Sequence, residues 1–151
     1  GKATLYYYYP SKDDVYSAIM ITGWKSLWEE VEEAILNDSP PKKKIFEILD
    51  QVCQVVKNDD NLYKFLFSAP NYMQEPEEPE WKTYQERLYS VLQSTIEEGC
   101  RKGDFIDLNP GVIMKAIGGL FHELLLGKKD SLTEKEFEIM ISNLLLLKTT
   151  T

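Results

Sequence analysis

Few side chains of the kinds that catalyse reactions or hold metals occur in this chain, and their spacing fits no catalytic motif. His122 is the single histidine, and Cys53 and Cys100 form no CxxC pair. The sequence has no glycine-rich phosphate loop, no HExxH pair and no EF-hand spacing. Its carboxylate clusters, such as those at 29–33 and 77–80, are typical of solvated helix faces. The sequence therefore predicts no enzyme activity, no cofactor and no metal site.

The residues best suited to bind a partner form an aromatic block near the start, in the stretch ATLYYYYPSKDD. Four consecutive residues cannot share one face of a helix, so some of the tyrosines at 6–9 must be exposed. The formal net charge of -8 argues against a nucleic-acid-binding surface over the whole molecule, because phosphate contacts need lysine and arginine. Any such contact must be confined to a small local patch.

The bulk composition is that of a soluble globular chain. A length of 151 residues suits one domain with its own core, and the residues are 43% hydrophobic and 28% charged. Two cysteines without a pairing motif indicate a reduced, cytoplasmic setting. No signal peptide is evident, and the longest apolar run, at 144–147, is too short to span a bilayer. The sequence predicts no membrane partner.

The periodic segments read as helices, and none shows the two-residue alternation of a half-buried strand. The predicted fold class is therefore all-α. Ser11 and Asp14 are spaced as a capping box for a long first helix, and Ser39 is predicted to cap a second helix with Pro40 at its first position. The sequence also predicts a break at 58–61, before the short aromatic helix LYKFLFSA, and a proline-rich loop at 70–79. Gly103 is predicted to be a C-cap, Asn109-Pro110 to start a helix, and Thr133 and Glu136 to form a capping box.

The last two predicted helices are apolar nearly all round, which indicates burial on more than one side. In a chain of this size the additional apolar face is expected to meet a second subunit in an isologous homodimer. His122 could be a ligand contact, a pH-sensitive interface residue or a satisfied core group, of which the last is favoured. The predicted dimer interface comprises Gly118, Phe121, His122, Leu125, Phe137, Ile141, Leu144 and Leu145.

The stretch KATLYYYYPSKDDVYSAI resembles the TetR (tetracycline-repressor) family of transcriptional regulators. In that family the recognition helix of a helix-turn-helix typically ends in a Thr-Leu-Tyr-x-x-Phe-like pattern. A short turn, a lysine and the acidic-apolar start of a long connecting helix follow. Thr4-Leu5-Tyr6 and Lys12 match this pattern, and Tyr9 stands where phenylalanine is usual. Downstream, EEGCRKGDFIDLNPGVIMKAIGGLFHELL is similar to the family's Gly-acid-Phe loop and first dimer helix.

The resemblance implies a TetR-like helical fold with the remnant of a helix-turn-helix at its start. The family's first helix and the first half of its helix-turn-helix normally precede this point. Either the chain was cut, or its upstream part is missing from the sequence. Residues 1–10 are expected to be the C-terminal part of the helix-turn-helix. Residues 11–151 are expected to form the ligand-binding and dimerisation domain, including the connecting helix.

The resemblance also implies operator DNA as a partner, bound through the complete head. The residues it assigns to DNA binding are Lys2, Ala3, Thr4, Tyr6, Tyr7, Tyr8 and Lys12. The first three would meet base edges, the tyrosine hydroxyls would donate to phosphate oxygens, and Lys12 would add a charge on the backbone. Leu5 and Tyr9 are expected to pack inward. The alternative is that the aromatic side chains are core and the polar ones a solvated cap.

A small apolar or aromatic effector is implied between the central helices, where its binding would move the connecting helix and so weaken repression or support it. The expected pocket residues are Phe46, Leu49, Cys53, Tyr63, Phe67, Trp81, Tyr84, Leu88 and Met114. For each of them taken singly, ordinary core is the favoured alternative. The rival function is a helical dimerisation or scaffold module that binds a protein helix and no DNA. A dry core would favour that rival.

Overall fold

The computed structural model describes Gly1, Thr4 and residues 7–68, 79–127 and 132–146. Within these ranges the chain is helical and contains no strand, so the all-α prediction is confirmed. The helices from residue 12 onward are α1 (Lys12–Leu36), α2 (Pro41–Asn58), α3 (Asp60–Ser68), α4 (Glu80–Lys102), α5 (Pro110–Leu126) and α6 (Glu134–Leu146). None of these helices is long and apolar enough to cross a membrane.

Helix α1 begins at the predicted capping box. The backbone N–H of Asp14 donates to Ser11 Oγ at 3.1 Å, and the Ser11 N–H donates to Asp14 Oδ2 at 3.1 Å. These bonds satisfy two backbone N–H groups at a helix start, where the first turn leaves donors without helical partners. One stripe of α1 is buried, at Tyr16, Met20, Trp24, Leu27, Val31 and Ile35. This stripe packs against α2, α3 and α4.

The predicted start of α2 is wrong by one residue. Pro41, and not Pro40, occupies the first helical position, and Ser39 does not cap the helix. The reason is local, because a proline disfavours the helical region for the residue before it. Pro40 therefore has an extended ψ of 153° and stands at the N-cap position. The Ser39 hydroxyl instead donates to Glu47 Oε2 at 3.2 Å.

Three of the other predicted boundaries, at Gly103, at Asn109-Pro110 and at Thr133, agree with the structure. Gly103 ends α4 in the left-handed conformation with φ 78°, and the Asn109 side chain accepts from Gly111 N–H at 2.8 Å at the start of α5. Thr133 and Glu136 form a capping box through two side-chain to backbone bonds of 2.8 and 3.2 Å. The predicted break at 58–61 is wrong in length, because α2 ends at Asn58 and α3 begins at Asp60, two residues before the predicted helix start, which leaves only Asp59 between the two helices. Of the predicted loop at 70–79, residues 70–78 lie outside the described ranges.

The helices pack around a single hydrophobic core, but α2 and α6 do not pack against each other. Helix α4 packs against α1, α2 and α5, while α5 also packs against α3 and α6. Among the described residues, the backbones of α2 and α6 make no close approach to each other. A cleft opens between them.

Candidate ligand-binding cleft

The cleft between α2 and α6 has a volume of about 550 Å³, within the range usual for small-molecule sites. Each helix presents residues spaced i, i+3, i+4 and i+7, which share one helix face. The lining residues are Lys43, Phe46, Glu47, Leu49, Asp50 and Cys53 of α2, with Glu134, Phe137, Glu138 and Ile141 of α6. Both faces carry a carboxylate at the i+4 position, which is Asp50 on one helix and Glu138 on the other.

The floor of the cleft is apolar. Leu49, Cys53, Phe137 and Ile141 are buried, and Phe46 is half-buried against the same core. These floor residues are also part of the hydrophobic core of the chain, so core packing holds α2 and α6 in place on the two sides of the cleft. A ligand with an apolar body could cover it without displacing a polar group.

The rim of the cleft is acidic, with four carboxylates and one lysine among the ten lining residues. Lys43 Nζ lies 3.5 Å from Glu47 Oε1, and Lys57 forms an ion pair with Glu134 that joins α2 to α6. Asp50 accepts a hydrogen bond from Gln54 Nε2 at 3.0 Å. Glu138 is exposed, and no ion pair joins Asp50 or Glu138 to a lysine or arginine within the part of the chain that the structure describes.

Cys53 lies at the floor and is held in its thiol form. Burial, together with the nearby Glu134 and Asp50 carboxylates, raises the pKa of Cys53 to about 11. Since the thiolate is the reactive form, Cys53 acts at neutral pH as a small apolar side chain and not as a nucleophile. In the described ranges, no group of three histidine, cysteine, aspartate or glutamate side chains is arranged to hold a metal ion.

A smaller cavity of about 210 Å³ adjoins the cleft. Cys53 and Glu134 line both spaces, so the two share a wall. The smaller cavity is further lined by Val56, Lys57, Asp60, Phe121, Leu124 and Leu125. It extends from the cleft toward α3 and α5.

A row of aromatic rings leads from the cleft to α1. Phe137 of the cleft floor lies 6.2 Å from Phe121 between ring centroids, Phe121 lies 5.2 Å from Phe67, and Phe67 lies 5.2 Å from Trp24. Each pair meets edge to face, which is a preferred geometry for aromatic contacts. The row therefore connects α6, α5, α3 and α1 through direct side-chain packing.

Comparison with known proteins yields one structural match. The chain superimposes with a TM-score of 0.73 on the crystal structure of a TetR family transcriptional regulator, PfmR from Thermus thermophilus. This chain has a TetR-like fold. The match covers 94% of this chain and 78% of that chain at 14% sequence identity, and it confirms the fold that the N-terminal motif indicated. No protein-family model matches the sequence, and no curated protein is significantly similar to it.

Three of the nine expected pocket residues, Phe46, Leu49 and Cys53, line this cleft of the TetR-like fold. The other six do not. Tyr63, Trp81 and Leu88 are buried in the core, and Tyr63 donates to the backbone oxygen of Gly23 at 3.4 Å. Phe67 belongs to the aromatic row, Tyr84 lies beneath the Arg87 guanidinium, and Met114 packs against the core.

Sequence reasoning missed the charged residues of the cleft. None of Lys43, Glu47, Asp50, Glu134 and Glu138 is among the predicted site residues, since charges on a helix usually face water. A signal was nevertheless present, because FEILDQVC and EKEFEIMI both place an acid directly after an apolar residue of the buried stripe. Finding it would have required knowing that these two helices face each other.

The residues of the predicted dimer interface differ in how far the single chain buries them. Leu125, Phe137, Ile141 and Leu145 are buried within the chain itself, so they have little surface to offer a second subunit. The helices are apolar on several sides because α5 and α6 also build the chain's own core. Gly118 and His122 are exposed, and Phe121 and Leu144 are half-buried. The favoured interpretation of His122 as a core group is wrong.

Other apolar side chains on the same two helices are exposed. Val112 is 56% exposed and Met140 46% exposed, and Ile139 is also exposed. A Cβ atom added at Gly118 or Gly119 would meet no atom within 4 Å, so this side of α5 is open. These residues, rather than the buried leucines, form the apolar surface that the TetR-like fold leaves free on its last two helices.

The residues assigned to DNA binding are described only in part. Lys2, Ala3 and Tyr6 lie outside the described residues, as does Leu5. Thr4, Tyr7 and Tyr8 are helical, and the two tyrosines are 81% and 69% exposed. Lys12 is exposed at the first position of α1. Tyr9, which was expected to pack inward, is exposed, because it stands beyond the helical residues in the turn that precedes α1.

Proposed function

We propose that this protein is a ligand-responsive transcriptional repressor that binds operator DNA as a homodimer through a helix-turn-helix ending at residue 10. The observation that carries the proposal is the match of nearly the whole chain to a TetR family regulator. The residues before α1 support it, since a short helical segment with exposed tyrosines precedes the long helix in the order that the family motif requires. The cleft favours this function over a dry scaffold module, because it leaves room for an effector.

The effector is proposed to bind in the α2–α6 cleft and to act on α1 through the aromatic row. A ligand against Phe137 would shift the edge-to-face contacts that lead to Trp24 of α1. Helix α3 adds a second route. A Cβ at Gly23 of α1 would lie 2.4 Å from Leu66 of α3, so the two helices pack closely at this point, and a displacement of α3 would press on α1. A ligand that weakens DNA binding must bind the DNA-free protein more tightly by the same factor, typically ~1–3 kcal/mol of coupling.

In the protein with its complete DNA-binding head, replacing Lys12 with alanine should weaken binding to operator and non-operator duplexes alike. Lys12 of each protomer is proposed to contact a phosphate, so the substitution removes two contacts from the dimer and should reduce the slope of log affinity against log salt by about 2, about 1 for each contact. An operator selected from random duplexes, followed by titrations at several salt concentrations, measures the slope. Lys25→Ala is the matched control, because Lys25 lies on the same helix about 20 Å away and pairs with Glu29. An unchanged slope in Lys12→Ala would remove the phosphate contact from the proposal.

Replacing Met140 with glutamate should convert the homodimer into monomers. Met140 lies on the exposed apolar surface of α5 and α6, and a buried unpaired carboxylate in the interface would cost more than the interface contact gains. Sedimentation velocity measures the change. Leu36→Glu is the control, since it places the same charge at an exposed apolar residue at the end of α1. A dimer that persists in Met140→Glu would move the interface to another surface.

A further inference from the structure

We propose that the ligand of the α2–α6 cleft is a small organic cation, with a positive charge on an apolar, preferably aromatic, body. This inference rests on the proposed role of the cleft as the effector site and names the chemistry of that effector. It is carried by the combination of an apolar floor with a rim whose negative charge exceeds its positive charge.

The excess charge lies on both walls of the cleft. Lys43 of the cleft and Lys57 of the adjoining cavity are engaged by Glu47 and Glu134. Asp50 and Glu138 stand at equivalent positions on the two facing helices, and within the described ranges neither has a cationic partner. The Lys43 side chain is 68% exposed and is therefore well hydrated. A cation between the two walls would have a carboxylate on each side.

The apolar floor of the cleft favours a ligand whose body is apolar or aromatic. Phe46 of α2 and Phe137 of α6 both line the cleft, and the faces of aromatic rings attract cations. The buried Leu49 and Ile141 offer apolar surface to the remainder. An anionic ligand would meet four carboxylates at close range, and a neutral one would cover Asp50 and Glu138 without giving them a partner. A hydrophobic cation meets both requirements of the site.

The electrostatic field at the floor of the cleft agrees with a cationic ligand. Besides burial, the Glu134, Asp50 and Glu138 carboxylates all raise the pKa of Cys53, while Lys57 alone among the acting groups lowers it. The negative charge of the rim is thus felt at the apolar floor, where the body of a ligand would lie. The carboxylates that disfavour the thiolate would favour a positive charge near them, whereas burial disfavours a charge of either sign, so the charge of the ligand belongs at the rim and its apolar body at the floor.

The test compares two probes of the same shape and opposite charge, tetraphenylphosphonium and tetraphenylborate, titrated into the full chain by calorimetry. We expect the cation to bind at least tenfold more tightly than the anion. The double variant Asp50→Asn with Glu138→Gln should weaken binding of the cation by tenfold or more. Both positions are exposed on helix surfaces, so the variant should keep its helical circular dichroism. Glu86→Gln with Glu97→Gln is the control, since it removes the same charge from α4 and should leave the affinity unchanged.

Equal or tighter binding of the anion, no binding of the cation, or an unaltered affinity in the Asp50/Glu138 double variant would each overturn the proposal. A neutral probe, N-phenyl-1-naphthylamine, separates this failure from that of the effector site itself. If the neutral probe binds and Phe46→Ala weakens its binding while the cation shows no preference, the cleft remains a ligand site and its charge selectivity is refuted. The operator-binding titrations are independent of either result.

Discussion

Replacing Trp24 with alanine is expected to lower the free energy of unfolding by about 3–5 kcal/mol, the range typical of a fully buried aromatic residue. Trp24 is 1% exposed at the centre of α1. Its ring packs against Phe67 at 5.2 Å and Tyr89 at 6.0 Å. The substitution would leave a cavity between α1, α3 and α4 and would also remove the α1 end of the aromatic row. Urea denaturation followed by far-ultraviolet circular dichroism measures the loss.

Trp24→Phe is the informative companion to Trp24→Ala. Trp24 Nε1 is buried without a hydrogen-bond partner among the described residues. Phenylalanine removes this unsatisfied donor while keeping most of the ring, so its cost should be less than about half that of alanine. A loss as large as that of Trp24→Ala would contradict this account, because it would mean that the indole N–H makes a stabilising contact in solution.

Replacing Gly99 with alanine is expected to destabilise the chain by about 1–3 kcal/mol through overpacking. A Cβ at Gly99 of α4 would lie 2.2 Å from both Cδ2 and Cε2 of the Phe105 ring. The ring has little freedom to retreat. Phe105 is buried, and its backbone N–H donates to the Gly99 oxygen at 3.2 Å. The close approach of the α4–α5 loop to α4 therefore requires glycine at this position.

Gly119→Ala separates the clash from helix propensity. Both glycines lie inside helices, where alanine is favoured over glycine by about 0.5–1 kcal/mol. A Cβ at Gly119 meets nothing within 4 Å, so this variant should be slightly more stable than the parent chain when both are compared at concentrations that keep the chain monomeric. The two variants should therefore change the midpoint of urea denaturation in opposite directions. A shift to higher stability in both would show that the Phe105 ring does not occupy the face of Gly99.

The helix boundaries were predictable because the interactions that set them are local. The capping box at Ser11 and Asp14 and the one at Thr133 and Glu136 close within one turn, so the spacing of the residue types determines them. The wrong start of α2 follows the same logic. Where two prolines are consecutive, helical geometry is disfavoured at the first proline, so Pro41 begins α2. The same rule applied to the sequence alone predicts this start.

The predicted dimer interface is a case in which the local sequence pattern is not sufficient to predict which residues are exposed. The sequence of α5 and α6 indicated correctly that these helices have apolar residues on several sides. It did not indicate which of them the chain's own core would bury. Leu125 and Leu145 are buried in that core, while Val112 and Met140 are exposed. Burial depends on which helices meet, and that is a property of the assembled fold.

The sequence by itself determined the fold class, the capped helix ends and, through Thr4-Leu5-Tyr6 and Lys12, the resemblance to TetR regulators that the structural match then supported. Only the tertiary structure decided where a ligand could lie. The cleft is made by two faces, FxxLDxxC of α2 and ExxFExxI of α6, that are distant in sequence. Helical periodicity specifies each face separately, but α2 packs on α4 and α6 packs on α5, and the packing of α4 against α5 decides that the two faces lie across a gap from each other. The acidic rim therefore exists only in the folded chain.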